Sequence, residues 1–237
     1  MRNIVSSIVL LAFLSGCSSR QDIEPEVSES RAGGVTEFTR ASLTTAELKA
    51  LTFKDGEVPQ AYEGGMQVTA FSAEDEESEF PPVSDPDCQV MHEALSGERA
   101  SSGVSQMFNW KDSIFASGSI IAAYPEGLAQ GEFDRFQQAL DSCRSYEGEG
   151  YAGDFEASIE AKSTAGFGDE SVTFVQIIPS DHPDDPRERM KQFTVVRVDS
   201  VIATFHRYDL GRVTPFPAEL IETQVERLAE AQDPQRV

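Results

Sequence analysis

"FTVVRVDSVIATF", residues 193–205, decides the fold class. Two runs rich in β-branched and aromatic residues, Gln192–Val198 and Val201–Tyr208, flank Asp199-Ser200, a pair that favours turns. The pattern predicts a hairpin of antiparallel strands. Upstream, 155–161 alternates, with Phe155, Ala157, Ile159 and Ala161 on one face, and 170–179 contains the strand-like run "SVTFVQII". "PSDHPDDPRERM" (179–190) reads as a loop between strands. The second half is therefore a meander. It closes on an amphipathic helix over 215–232, with Pro217 in its first turn and Leu220, Ile221, Gln224, Val225 and Leu228 on its buried face.

The first half supplies the remaining helices. Thr44 and Glu47 form a capping-box pattern ahead of a short helix over 45–51. An extended, irregular stretch then runs through Val58, Tyr62 and Met66 to Phe71. "SAEDEESEFPPVSDPD" (72–87) crowds acids with prolines and reads as an exposed loop; it lacks the alternation and the glycine of an EF-hand. A helix is expected over 86–95, with Cys88, Met91 and Leu95 on one face. Two strands, 104–110 and 113–124, follow around a turn at 109–112. The clearest helix covers 126–143, where Phe133, Phe136, Leu140 and Cys143 take the spacing of a buried face and Gly127 and Gly131 weaken the start. Antiparallel strands with helices at distinct positions predict a single α+β domain, an antiparallel sheet flanked by helices. No repeat at solenoid spacing is visible.

The amino terminus speaks to location. An arginine at position 2, an apolar run from Ile4 to Leu14 and a small-residue ending describe an export signal. The run is shorter than the ~20 residues a membrane-spanning helix needs. Leu14-Ser15-Gly16-Cys17 resembles a bacterial lipobox, in which the cysteine thiol accepts a diacylglycerol and becomes the first residue of the mature chain. The other reading is an ordinary signal with an incidental cysteine. The expected organisation is a signal peptide over 1–16, a lipidated acidic tether over 17–43 that is too polar to offset the entropy of ordering, and a domain over 44–232. The expected location is the extracytoplasmic face of the cell membrane, held by two or three acyl chains at ~0.8 kcal/mol per buried CH₂.

Composition narrows the partners. The chain has 41 Asp and Glu against 19 Lys and Arg, a formal charge of −22. Nothing in that balance could neutralise phosphates, so nucleic acid is excluded as a partner, and anionic head groups are disfavoured too. Beyond Cys17 only Cys88 and Cys143 remain. In an exported chain they most simply form one disulfide; the alternative is two free buried thiols.

Three segments together resemble a known family: "FDRFQQALDSCRSY" (133–146), "GFGDESVTF" (166–174) and "FTVVRVDSVIATF" (193–205), in this order after a cysteine-bearing helix. The pattern is similar to the extracellular sensor domain of mycobacterial-type serine/threonine receptor kinases, and to lipoproteins that carry the same domain without a kinase. The likeness covers roughly 88–228. It implies an α+β domain with a cleft for a ligand. The chain departs from the kinase version in having no cysteines for a second disulfide, no kinase domain and no spanning helix, so any sensing would need a separate signalling partner.

Chemistry is sparse. His92, His182 and His206 show no metal-ligand spacing and read as surface or half-buried side chains. Ser117-Gly118-Ser119 has the wrong flanks for a nucleophile elbow. Gly148, Gly150 and Gly153 sit in an apparent loop with no Lys-Ser/Thr behind them, so they form no phosphate loop. No catalytic residue, metal site or cofactor is expected. The candidate ligand contacts are Asp169, Arg197 and Trp110. Each has a structural alternative: a turn at Gly168-Asp169, a cross-strand ion pair for Arg197, and a core position for Trp110 beside Phe108. The leading functional expectation is a non-enzymatic, sensor-like domain that binds a small molecule, a wall component or a protein. The alternatives are an envelope hydrolase and a structural envelope lipoprotein with no small ligand.

Overall fold

The computed structural model describes residues 42–72, 82–150, 153–162, 166–180 and 186–233. The expected signal peptide, Cys17, nearly all of the tether, most of the acidic loop, and His182 with its neighbouring aspartates lie outside them.

Twelve elements run along the described chain: α1 (Thr45–Leu51), β1 (Ala61–Ser72), α2 (Pro86–Ser96), β2 (Ser102–Trp110), β3 (Ala116–Ala123), α3 (Leu128–Ser142), β4 (Ser145–Gly150), β5 (Gly153–Lys162), β6 (Glu170–Ile178), β7 (Arg189–Val198), β8 (Val201–Leu210) and α4 (Ala218–Ala231). The strands form one eight-stranded sheet in the order β1-β2-β3-β8-β7-β6-β5-β4, antiparallel throughout. This is the α+β domain expected from the 193–205 hairpin, which sits at the middle of the sheet.

Alternation along that hairpin explains the layering. Phe193, Val195 and Ile202 point into one core, shared with α2 and α3 through Met91, Leu95, Phe133, Phe136 and Leu140. Val196, Val198, Val201, Ala203 and Phe205 point into the other, shared with α1 and α4 through Leu48, Leu220, Ile221 and Leu228. Successive strand residues face opposite sides, so a strand apolar at nearly every position needs cover on both. The four helices supply it.

Local chemistry sets the helix ends. Thr44 and Glu47 close the expected capping box: Glu47 N–H donates to Thr44 Oγ1 at 3.3 Å and Thr44 N–H to Glu47 Oε2 at 2.7 Å. At α2, Asp85 accepts from the backbone N–H groups of Asp87 and Cys88 at 3.0 and 2.9 Å. The start of α3 falls at Leu128, two residues later than expected, because Gly127 is left-handed at φ 78°. The Cys88–Cys143 disulfide ties the first turn of α2 to the end of α3, with Cα atoms 4.9 Å apart.

Two expectations need correction. The glycines at 148–153 are not in a loop but in a hairpin, with Tyr146 paired to Ala157 and Gly148 to Phe155. The missing Cβ at Gly148 leaves room for the Phe155 ring, whose Cζ would lie 2.9 Å from a Cβ there. Three glycines and three acids in eight residues hide such a strand from any propensity reading. The turn expected at 109–112 falls later, since β2 runs on to Trp110 and β3 starts at Ala116.

Candidate functional site

The three residues singled out as ligand contacts separate in space. Asp169 and Arg197 come together at one end of the sheet. Asp169 Oδ2 accepts from Arg197 Nη1 at 3.0 Å and from Asp199 N–H at 2.7 Å, while Asp169 N–H donates to Arg197 O at 2.9 Å. Asp199 is the non-glycine residue with positive φ among those described, at 51°. Its strained backbone is held by the Asp169 carboxylate on one side. On the other, the Gln232 side chain accepts from Ser200 N–H at 3.0 Å and donates to Val198 O at 3.0 Å. Gly168 takes φ 58°, and a Cβ there would stand 2.5 Å from Arg197 O. "GFGDES" thus works as a clamp on the β7–β8 turn. Asp169 also lines an open depression with Gln137 and Gly166–Ser171. Replacing Asp169 by alanine is expected to cost about 1–2 kcal/mol through the lost charge-assisted bonds, read as a shift in urea midpoint.

Trp110 lies at the opposite end of the sheet. It is 1% exposed, stacked on Phe108 at 5.4 Å and edge-on to Phe216 at 5.6 Å. The Arg207 guanidinium lies 4.9 Å from the ring centroid and reaches Asp112 at 2.7 Å. Trp110 is a core residue there and borders none of the pockets described below.

An open groove of about 490 Å³ follows the β4–β5 hairpin and is lined by Glu147, Glu149, Asp154 and Glu156 with Pro82, Gly148 and Phe155. Among the described residues, no group of three or more His, Cys, Asp or Glu could hold a metal ion. The chemically distinctive cavity is smaller and better enclosed. About 190 Å³ lie between α2 and the sheet, lined by His92, Leu95 and Ser96 of α2, Ile120 of β3, Gln176 of β6, Lys191 and Phe193 of β7, and Thr204 and His206 of β8.

Strand register assembles this pocket. Gln176 pairs with Lys191, Phe193 with His206, and His206 with Gly118, so these side chains share one face. Gly118, the middle of the Ser-Gly-Ser run, makes room for the imidazole: a Cβ there would stand 2.6 Å from His206 Cε1. His92 is buried at 5% exposure, which corrects the expectation of a surface or half-buried side chain. The reason is its partner. His92 Nε2 meets Tyr146 Oη at 2.6 Å, and Gln176 Nε2 donates to the same oxygen. The Tyr146 oxygen has a second lone pair as well as its proton, so Nε2 of the neutral imidazole accepts from the hydroxyl in one tautomer and donates to it in the other.

The electrostatics agree. Burial, aided by the charge of Lys191, holds His92 down to about 4 and His206 well below its ordinary value. Burial raises Tyr146. Lys191 is the cation of the pocket, pulled down to about 8 by desolvation. Its Nζ lies 4.8 Å from the centroid of the Phe193 ring. Among the described residues no carboxylate or carbonyl meets that ammonium. Sequence reasoning did not assemble this pocket, because its six polar members come from four separate elements, α2, β6, β7 and β8, with no common spacing.

The architecture is an antiparallel sheet with helices on both faces. A solved structure shares it: the crystal structure of the extracellular domain of PknH from Mycobacterium tuberculosis is similar over 81% of this chain and 97% of that one, with 13% identity and a TM-score of 0.56. The likeness is one of fold. No protein-family model matches the chain, and no curated protein matches it. No helix among the described residues is long and apolar enough to cross a membrane.

Proposed function

We propose that this chain is a lipid-anchored protein of the extracytoplasmic face of the membrane, whose domain over 44–232 binds a ligand without catalysing a reaction. The observation that carries the reading is the pocket beneath α2, where the half-buried Lys191 ammonium, with no anionic partner among the described residues, sits among mixed apolar and neutral polar walls on a sensor-type fold. Such a group is costly to keep desolvated and charged unless something arrives to meet it. The Cys17 lipid anchors the chain, the tether carries the domain away from the bilayer, and a separate membrane protein relays occupancy of the pocket.

Two measurements test this. Intact mass of the protein from its native membranes is expected to show a chain beginning at an acylated Cys17, and Cys17→Ala is expected to leave the membrane fraction. An unlipidated chain cut elsewhere overturns the anchor. For the pocket, thermal melting against anionic, neutral and cationic small molecules is expected to find compounds that stabilise the wild type but not Ile120→Trp, which fills the cavity. A ligand at 100 times its Kd adds about 2.7 kcal/mol. If no compound discriminates the two proteins, the ligand-binding reading falls and a structural envelope protein remains.

A further inference from the structure

The pocket contains one cation and no anion, in a chain where acids outnumber Lys and Arg 41 to 19. Surface lysines of such a protein readily find carboxylates, and among the described residues Lys191 meets none. We propose that the pocket takes a small monocarboxylate, with its carboxylate on Lys191 Nζ and its apolar body against Leu95, Ile120 and Phe193. This deepens the ligand-binding reading above and rests on it.

Three features select that class. The charge to be met is single. Burial holds His92 and His206 neutral, so a phosphate or dicarboxylate would bring more negative charge than the pocket balances. The walls are mixed in a way that suits an amphiphile: Leu95, Ile120 and Phe193 are apolar, while Ser96, Gln176, Thr204 and the two imidazoles are polar. The volume, about 190 Å³, falls below the ~300–1,000 Å³ of drug-sized sites, so the body is short.

Binding should also depend on pH. Among the described residues, the titratable groups nearest Lys191 are His92 from α2 and His206 and Tyr208 from β8, with Tyr146 of β4 bonded to His92; Arg189 lies two residues along β7, and the pocket-lining residues of β3 and β6, Ile120 and Gln176, carry no charge. The imidazoles are neutral above pH 6.5 and the phenols are raised, so between pH 7 and 9.5 Lys191 is the group among them that titrates. A carboxylate needs it protonated. With a pKa of about 8, affinity is expected to fall about thirtyfold between pH 7 and pH 9.5.

The experiment is calorimetric titration of the detergent-solubilised full chain with matched carboxylates, primary amides and amines of about four, six and eight carbons, sized to the cavity. One carboxylate is expected to bind at least about tenfold tighter than its amide and amine, a charge-assisted contact being the difference. Lys191→Met is expected to lose that preference while keeping its helix and sheet signal in circular dichroism. Should that variant not fold, the pH dependence of the wild type carries the test. If amides bind as tightly as carboxylates and pH has no effect, the carboxylate assignment is overturned and the ligand-binding reading stands. If no member of any series binds and the broader melting panel is also empty, both fall.

Discussion

Replacing Cys88 and Cys143 together by alanine is expected to lower the stability of the domain by about 4 kcal/mol. The bridge spans 55 residues of chain, including α2, β2, β3 and α3. In the chain-entropy description, a cross-link over a loop of this length removes about 4 kcal/mol of freedom from the unfolded state. Both cysteines are fully buried, so alanine leaves no unpaired polar atom behind. Urea unfolding of the oxidised wild type, the reduced wild type and the double variant measures the effect. Reduced protein and variant should agree. A difference below about 1 kcal/mol would mean that the unfolded chain is already restricted over this loop. The consequence reaches the pocket, because the bridge holds the first turn of α2 and the later turns carry His92, Leu95 and Ser96. Reduction should therefore weaken whatever binds there before the domain unfolds.

Acidification from pH 6.5 to pH 4 is expected to cost about 3 kcal/mol through His92 alone. Its folded pKa of about 4 lies below the ordinary value of 6.5. The unfolded chain therefore takes up the proton first, and stability is lost as pH falls through that window; above 6.5 it is fully present. Each unit of difference is worth about 1.4 kcal/mol, and His206 is shifted in the same direction. The cause is burial of the ring, with the charge of Lys191 adding to it. A protonated ring would place a second positive charge beside Lys191 in a pocket whose lining holds no anion. The carboxylates held low by their own partners, Glu47, Glu57 and Asp209, act only below their ordinary values, in a more acidic range. Acid also reduces the net charge of −22, which relieves self-repulsion. The informative quantity is thus the difference between wild type and His92→Gln in urea melts at pH 7.5, 5.5 and 4.5. Glutamine keeps an acceptor for Tyr146 and has no proton to gain. An unchanged pH slope in that variant would exclude the imidazole as the source.

Some of this protein could be read from the order of its residues, because the deciding interactions are local. Thr44 and Glu47 start α1 where the capping box puts it. The spacing of Phe133, Phe136 and Leu140 marks the buried side of α3. Asp199-Ser200 turns the central hairpin, and Gly168 takes the left-handed conformation that only a residue without a Cβ adopts there at no cost. Two cysteines in the domain leave one possible pair. The tertiary structure decided the rest, since the energies involved lie between residues far apart in the chain. The pairing of β3 with β8 joins residues about eighty positions apart and fixes which strands stand at the middle of the sheet. β4 is a strand because Tyr146 has a core to enter, against the preference of the glycines around it. His92 is buried where the Tyr146 hydroxyl of β4, itself bonded by Gln176 of β6, meets its Nε2. The Lys191 pocket exists only where four strands and a helix meet. Its polar members lie between positions 92 and 206, and the register of the sheet, which no short motif encodes, brings them onto one face.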